Sequence, residues 1–235
     1  MSDVAKQIAE NVARVRERIA RAAFVAGRSP ETIRLVAVTK YVGPTEAAAL
    51  LAAGCDNLGE SRPQQLWEKA ADERLARADW HLIGPLQRNK VRRTLPCVKM
   101  IHSIDSQRLL EFVDRTAGEL GMRVDILLEV NCSGDTEKKG LMSEQLQQIV
   151  PLLPSLEQVR VCGLMTMAAR EGGAVVARKN FAALRALRDS LKEHSAEGEF
   201  LPELSMGMSH DFEEAILEGA TLVRIGSALL EGVWQ

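Results

Sequence analysis

The feature that most constrains this chain is a regular alternation of short apolar runs with amphipathic runs, which continues over nearly all 235 residues. The apolar runs are typical of strands buried on both faces, and the amphipathic runs have the spacing of surface helices. Such alternation predicts parallel strands joined by crossover helices. The predicted strands cover residues 35–40, 56–60, 80–84, 99–105, 123–131, 159–167, 203–207 and 221–227, with 123–131 the longest. The predicted helices between them cover residues 44–54, 63–76, 86–95, 106–120, 143–153, 174–194 and 211–220.

About eight strand–helix units fit a (β/α)8 barrel, the TIM barrel, better than an open doubly wound sheet. The open sheet lacks its usual support, because no Gly-x-Gly-x-x-Gly motif follows the first strand. A further amphipathic helix is predicted over residues 3–26, between a cap at Ser2 or Asp3 and Gly27. No linker or change of composition divides the chain. We therefore predict a single α/β domain over residues 1–235, with the N-terminal helix packed on the barrel.

Composition excludes several classes of protein. The net charge is −2 and the pI about 6.1, whereas a dedicated nucleic-acid binder would be strongly basic. The four cysteines form no Cys-x-x-Cys pair, and with no signal peptide they indicate reduced thiols in a cytoplasmic protein. The four histidines lack metal-ligand spacing, and no apolar stretch could span a bilayer. We expect no metal, no nucleic-acid partner and no membrane association.

Lys40 stands where the first predicted strand ends, in the run LVAVTK (35–40). Active sites of such barrels lie at the carboxyl ends of the strands. Burial in an apolar mouth favours a neutral lysine amine, and a neutral amine attacks aldehydes to form Schiff bases. Sugar aldehydes and pyridoxal phosphate both fit this chemistry. A strand-end lysine can also simply extend into water, its stem covering apolar surface.

The segment SMGMSHD (205–211) is suited to an anion. Gly207 permits close approach to the backbone, and Ser209 is predicted to cap the helix that follows. The N-terminus of a helix attracts phosphate through its free N–H groups and its dipole. An ordinary capping turn has the same composition, so this segment alone does not decide the question.

The segment RIGS (224–227) follows the eighth predicted strand. Phosphate sites in these barrels commonly use the loops after strands seven and eight, and Gly226 and Ser227 could donate backbone N–H groups there. Arg224 is expected on the barrel side of the strand, where a structural ion pair is the alternative role. Strands one and eight adjoin in a closed barrel. The three segments together therefore predict a ligand with an aldehyde at one end and a phosphate at the other.

Nearly the whole chain, in order, resembles the YggS/PROSC family of pyridoxal phosphate homeostasis proteins, which are related to the N-terminal barrel of alanine racemase. The matching stretches are LVAVTK (35–40), NLGES (57–61), WHLIGPLQRNK (80–90), HSIDS (102–106), EVNCSGDTEKKGL (129–141), GLMTM (163–167), LSMGMSHDFEEAI (204–216) and VRIGSALLEG (223–232).

The resemblance implies that Lys40 carries pyridoxal phosphate as an internal aldimine. It also implies that Arg224 faces the pyridine nitrogen and that Asn57 and His81 line the surroundings of the ring. For the phosphate, the residues that it implies are Ser205, Gly226 and Ser227, with the backbone around Met206 and Gly207 nearby.

The implied position of Arg224 bears on catalysis. A guanidinium does not accept a proton, so it leaves the pyridine nitrogen unprotonated and weakens the electron sink that transamination and decarboxylation need. Racemisation needs an acid/base group on each face of the substrate carbon. In alanine racemase a tyrosine linked to a second domain supplies one of them, but this sequence ends nine residues after Gly226. Tyr41 is expected to point away from Lys40, because successive strand residues alternate faces.

We therefore expect a monomer that binds pyridoxal phosphate and takes part in its homeostasis, by buffering it or delivering it to apo-enzymes, without robust turnover. One alternative is an amino acid racemase or lyase of low activity that takes its second base from His81, Cys162 or a partner subunit. Another is a Schiff-base aldolase of sugar phosphates. Lys138 and Lys139, after the fifth strand, could help phosphate-bearing ligands to enter and leave.

Overall fold

The computed structural model describes residues 2–135, 139–169, 171–192 and 201–233. Its eight parallel strands close into a barrel in sequence order, which confirms the predicted (β/α)8 fold. The strands are β1 (Arg34–Val38), β2 (Asn57–Glu60), β3 (Asp79–Leu82), β4 (Met100–Ile104), β5 (Val124–Glu129), β6 (Val159–Met165), β7 (Glu203–Ser205) and β8 (Leu222–Ile225). The helices are α1 (Asp3–Val25), α2 (Pro44–Ala52), α3 (Pro63–Ala70), α4 (Arg88–Thr94), α5 (Gln107–Glu119), α6 (Ser143–Ile149), α7 (Gly173–Lys192) and α8 (Phe212–Leu217).

Closure of the barrel brings the first and last strands together. In the pairing of β1 with β8, Val36 lies opposite Arg224 and Ala37 lies opposite Ile225. Because the two strands are parallel and in register, their carboxyl ends reach the same stretch of the rim. The loops after β1 and β8 are therefore neighbours, as the sequence predicts.

Apolar packing occurs in two separate regions. The larger core lies between the strands and the surrounding helices, and a smaller cluster lies inside the barrel. Side chains two residues apart on a strand point to the same face, so Arg224 follows Leu222 inward and Glu129 follows Leu127. The interior therefore changes from apolar to polar toward the carboxyl rim. The buried members of the inner cluster are Val36, Met100, Leu127, Met165 and Leu222.

The predicted N-terminal helix is confirmed as α1, which packs against α8 and α2. Ser2 caps it, with its Oγ accepting a hydrogen bond from the N–H of Ala5 at 3.3 Å. Asn11 ties the helix to the end of the chain, because its fully buried amide donates to the carbonyls of Leu229 at 3.1 Å and Glu231 at 2.8 Å.

Some predicted helices end earlier in the structure. The helix predicted over residues 143–153 ends at Ile149, because Pro151 has no N–H to continue the ladder, and 3₁₀ turns cover Val150–Ser155. The helix predicted over residues 211–220 is reduced to α8, with Gly219 beyond it at a φ of +94°. The helix predicted over residues 63–76 ends at Ala70.

Other boundaries shift by a few residues. The helix predicted over residues 86–95 begins at Arg88. The helix predicted over residues 174–194 is α7, and its predicted last two residues, 193 and 194, lie outside the described residues. The prediction that residues 123–131 form the longest strand is wrong, since β5 has six residues and β6 has seven. The core of each strand is where the sequence predicts it, and the errors lie at the ends.

The contact between α1 and the chain end generates a stability prediction. Asn11→Ala leaves the buried carbonyl of Leu229 and the partly buried carbonyl of Glu231 without their donor, and we expect it to lower the free energy of unfolding by about 2 kcal/mol. Urea denaturation measures this change. The exposed neighbour Glu10, changed to Ala, serves as the control and should shift the free energy by no more than about 0.5 kcal/mol. Equal effects of the two substitutions would contradict the role given to Asn11.

Candidate functional site

Lys40 lies on a turn just beyond β1, not in the strand itself. β1 ends at Val38, and the turn is closed by a hydrogen bond from the N–H of Val42 to the carbonyl of Thr39 at 3.0 Å. Lys40 is exposed, so the predicted burial in an apolar mouth is wrong. Tyr41 was expected to point elsewhere, but the Lys40 Nζ lies 4.8 Å from the centre of its ring. Strand alternation does not apply there, because both residues are already in the turn.

The loop after β8 supplies converging N–H donors, and the loop after β7 supplies the oxygen that they meet. The N–H groups of Gly226 and Ala228 both point at the Oγ of Ser209, at 3.3 and 3.4 Å. A hydroxyl oxygen thus occupies a point toward which two donors converge. Gly226 also adjoins the end of β1, because a Cβ added to it would lie 3.2 Å from the Cβ of Val38. We call Ser209, Gly226, Ser227 and Ala228 the N–H cradle.

Gly207 is required by the packing of the loop after β7. Its φ is +90°, and an added Cβ would lie 2.6 Å from the Cβ of Ala215 and 2.8 Å from the Cα of Phe212. The prediction that Ser209 caps the following helix is wrong. The N-cap residue of α8 is Asp211, whose Oδ1 accepts from the N–H of Met208 at 2.6 Å. With six residues, α8 is also too short for a dipole argument, so the anion-binding potential of this region rests on the cradle.

A chain of hydrogen bonds crosses the upper interior of the barrel. The Oδ1 of Asn57 lies 3.1 Å from the Nε2 of His81, and the Nδ1 of His81 lies 2.8 Å from the Nε2 of His102. The Nδ1 of His102 lies 2.9 Å from the Oγ of Ser205, which accepts from Arg224 at 2.6 Å. The chain connects side chains from β2, β3, β4, β7 and β8. We call these five residues the interior polar chain.

The electrostatics of this chain leave its histidines neutral. Burial lowers the pKa of His81 to about 3, and burial lowers the pKa of His102 well below its ordinary value, with the charges of neighbouring cations acting in the same direction. Burial also lowers the pKa of Arg224, to about 10, which still leaves the guanidinium charged at neutral pH. Its second hydrogen bond goes to the carbonyl of Thr166 at 2.9 Å.

A carboxyl group faces this cation from across the barrel. Glu129, at the end of β5, is buried, and burial together with the charge of Asp105 raises its pKa to about 7, although the charges of Arg224 and Lys139 oppose the rise. Near neutral pH, Glu129 therefore exists in both protonation states. Lys139 is exposed, and Lys138 lies outside the described residues.

The structure brings most of the predicted site residues together in two groups, the interior polar chain and the N–H cradle. Asn57, His81, Ser205 and Arg224 belong to the interior polar chain. Ser205 is fully buried and engaged on both sides, so the phosphate role that the resemblance implies for it does not match its contacts. Met206 is fully buried as well, and its N–H is bonded to the carbonyl of Leu222.

Three residues that support the site have no role predicted from the sequence. His102 links His81 to Ser205, and its position on β4 next to His81 on β3 was the available signal. Glu60 and Lys69 form a buried ion pair beneath the turn of Lys40. Their spacing of nine residues crosses from a strand into a helix, and no simple periodicity reveals such a contact.

Fold and site together define a class of protein: a (β/α)8 barrel with a lysine and an N–H cradle at the carboxyl ends of two adjoining strands. Residues 5–232 match the family model described as alanine racemase, N-terminal domain. Because a pyridoxal phosphate homeostasis protein is 39% identical to this chain over 94% of its length, the chain belongs to the family of the pyridoxal phosphate homeostasis proteins. Among the described residues, no helix is both long and apolar enough to cross a bilayer.

The relatives match over nearly their whole length. The pyridoxal phosphate homeostasis protein of Aquifex aeolicus is 38% identical over 221 residues, which are 94% of this chain and 96% of the relative. That of Pseudomonas aeruginosa is 39% identical over 226 residues, which are 94% of each. PipY of Synechococcus elongatus, solved with PLP bound, is 35% identical with a TM-score of 0.84, covering 94% of this chain and 99% of that one.

The lowered pKa of His81 predicts a pH dependence of stability. Between its ordinary pKa of about 6.5 and the folded value of about 3, the unfolded chain binds a proton that the folded chain does not. This contribution to stability is present above about pH 6.5 and decreases as the pH falls, by at most about 1.4 kcal/mol per pH unit. We expect His81→Gln to make the free energy of unfolding fall less steeply than in the wild type between about pH 7 and pH 5.

Urea denaturation at several pH values measures the two slopes. The matched control is His210→Gln, since His210 is exposed and outside the interior polar chain. Its slope should equal that of the wild type. If His81→Gln also leaves the slope unchanged, the histidine is not held neutral in the folded protein.

Proposed function

We propose that this chain binds pyridoxal 5'-phosphate (PLP) covalently through the Nζ of Lys40 and takes part in PLP homeostasis. One observation carries the proposal: the N–H cradle after β8 adjoins the end of β1, which leads into Lys40. When bound, PLP supplies an aldehyde that condenses with a primary amine, forming a carbon–nitrogen bond with loss of water. The names of the relatives and the PLP in the PipY structure support the same ligand.

The donor set fits the two ends of PLP. The N–H groups of Gly226 and Ala228 already meet an acceptor oxygen, that of Ser209, and a phosphate oxygen is an acceptor of the same kind. Ser227 lies between these two donors in sequence and is exposed at the rim. We propose that these backbone groups hold the phosphate, with Met206 contributing as packed support below them.

Arg224 is proposed to face the pyridine nitrogen. The guanidinium is buried and charged, and Ser205 and the carbonyl of Thr166 fix its plane. We propose that Ser205 acts by holding Arg224, that His81 and His102 extend this support across the barrel, and that Asn57 ends the chain on the β2 side. A fixed donor can hydrogen-bond an unprotonated ring nitrogen but gives it no proton.

Homeostasis without turnover follows from the lack of a suitable second base among the candidates. His81 is too weak a base, since its pKa is about 3 and both ring nitrogens are engaged. Burial raises the pKa of Cys162 to about 11, so it is a thiol at neutral pH, and the thiol donates to the carbonyl of Arg160. We propose that the protein holds PLP and releases it to apo-enzymes, as a cytoplasmic monomer with one barrel domain.

Borohydride reduction tests the covalent site. The PLP-saturated protein is reduced and digested, and the modified peptide is identified by mass spectrometry. We expect the modification on Lys40, because a phosphate held in the adjoining cradle would bring the aldehyde to that rim. Lys6→Met, which removes an exposed lysine of α1, should give the same result as the wild type. Modification of a different lysine in the wild-type protein, or of none, would refute the proposal.

Hydrogen exchange tests the absence of turnover. The PLP-loaded protein is incubated with single enantiomers of amino acids in deuterated water, and exchange at the α-carbon is followed by NMR. We expect exchange no faster than with the same concentration of free PLP, because the ring nitrogen stays unprotonated and neither His81 nor Cys162 is suited to act as the second base. Exchange well above that level would favour the racemase alternative.

A further inference from the structure

A buried ion pair lies directly beneath the turn that carries Lys40. The Nζ of Lys69, from α3, contacts the Oε1 of Glu60, at the end of β2, and the two side chains are 7% and 0% exposed. In the other ion pairs formed between described residues, at least one side chain is more than a third exposed. This pair is therefore unusual within the protein for its burial.

Both members of the pair hold Thr39, the residue before Lys40. The Nζ of Lys69 donates to the carbonyl oxygen of Thr39 at 2.7 Å, and the Oγ1 of Thr39 donates to the Oε1 of Glu60 at 2.8 Å. The N–H of Thr39 also donates to the carbonyl of Gly59 at 2.9 Å. The carbonyl that Lys69 binds belongs to the peptide group joining Thr39 to Lys40. The start of the Lys40 main chain is thus fixed by a charged donor.

Stability alone does not explain such a pair. Moving two charges out of water costs several kcal/mol, and an apolar pair of similar volume is often as stable or more stable. A charged hydrogen bond, in contrast, fixes direction and distance better than apolar contact does. The group held in place here is the Thr39–Lys40 peptide, which precedes the exposed side chain of Lys40. The location of the pair therefore indicates a role in orientation.

We propose that Lys69 and Glu60 are positioning residues for Lys40. By fixing the Thr39–Lys40 peptide, they keep the Lys40 amine within reach of an aldehyde whose phosphate is held in the N–H cradle. Loss of this restraint spreads the amine over more positions and lowers its effective concentration at the aldehyde carbon. This inference rests on the proposed function, because it assumes that the Lys40 nitrogen bonds to that carbon with loss of water.

The test removes both charges together. In Glu60→Gln/Lys69→Met neither charge is left unpaired, and Thr39 keeps an acceptor at position 60 but loses its charged donor. Stopped-flow absorbance measures the rate of covalent capture of PLP. Equilibrium binding of pyridoxine 5'-phosphate, which has an alcohol in place of the aldehyde, measures recognition of the phosphate and the ring without the covalent step. Lys6→Met is again the control.

We expect the double variant to capture PLP about tenfold more slowly, the effect of losing one charged hydrogen bond, with its affinity for pyridoxine 5'-phosphate unchanged. If the double variant does not fold, Thr39→Val removes the hydroxyl bonds to Glu60 and to the carbonyl of Gly59, keeps the Lys69–Glu60 pair, and should slow capture severalfold with the same unchanged affinity. Thermal unfolding of each variant reports whether the fold is intact.

The outcomes separate the two proposals. Capture at the wild-type rate, or a parallel loss of capture and of pyridoxine 5'-phosphate affinity, would overturn the positioning role and leave the proposed function standing. If the wild-type protein itself forms no adduct at Lys40, it is the proposed function that fails.

Discussion

Parallel closure of the barrel is the constraint on which the rest of the structure depends. Because all eight strands run in one direction, their carboxyl ends meet at one rim, and each strand delivers its last inward side chain to the same small volume. Residues separated by almost two hundred positions, such as Val38 and Gly226, come into contact there. The pairing of β1 with β8 is thus what places a lysine-bearing turn beside the N–H cradle.

A polar rim above an apolar interior requires that every buried polar group find a partner. The interior polar chain meets this requirement through side chains on five strands, ending at the buried guanidinium of Arg224. The two histidines remain neutral, so the chain supplies aligned dipoles without adding charge to the cation. A second arrangement, at β2 and α3, pairs a buried lysine with a buried carboxylate. Arg224 is thus buried among hydrogen-bonding dipoles, whereas Lys69 is buried against its counter-ion, Glu60.

The sequence was sufficient for the fold because strand–helix alternation is a local signal repeated eight times. It was also sufficient for the rim residues on β1 and β8, because strand ends can be counted. It failed where a contact depends on three-dimensional packing. The engagement of Ser205 by His102 joins residues 103 positions apart, and the ion pair of Glu60 with Lys69 depends on where α3 docks. The turn after Val38 likewise brings the side chains of Lys40 and Tyr41 together, because β1 ends two residues before the end of the predicted strand.

The two buried cations also bear on why such a site would favour capture over turnover. Arg224 keeps its charge and cannot accept a proton. It can therefore orient a ring nitrogen without protonating it, which leaves the ring a weak electron sink. Lys69 is committed to Glu60 and Thr39, so it is not free to serve as a base at the rim. Glu129, whose pKa is raised to about 7, lies on β5, across the closed barrel from β1 and Lys40. Under the proposed function, the chemistry at the rim is the reversible condensation of one amine with one aldehyde, which is what binding and release require.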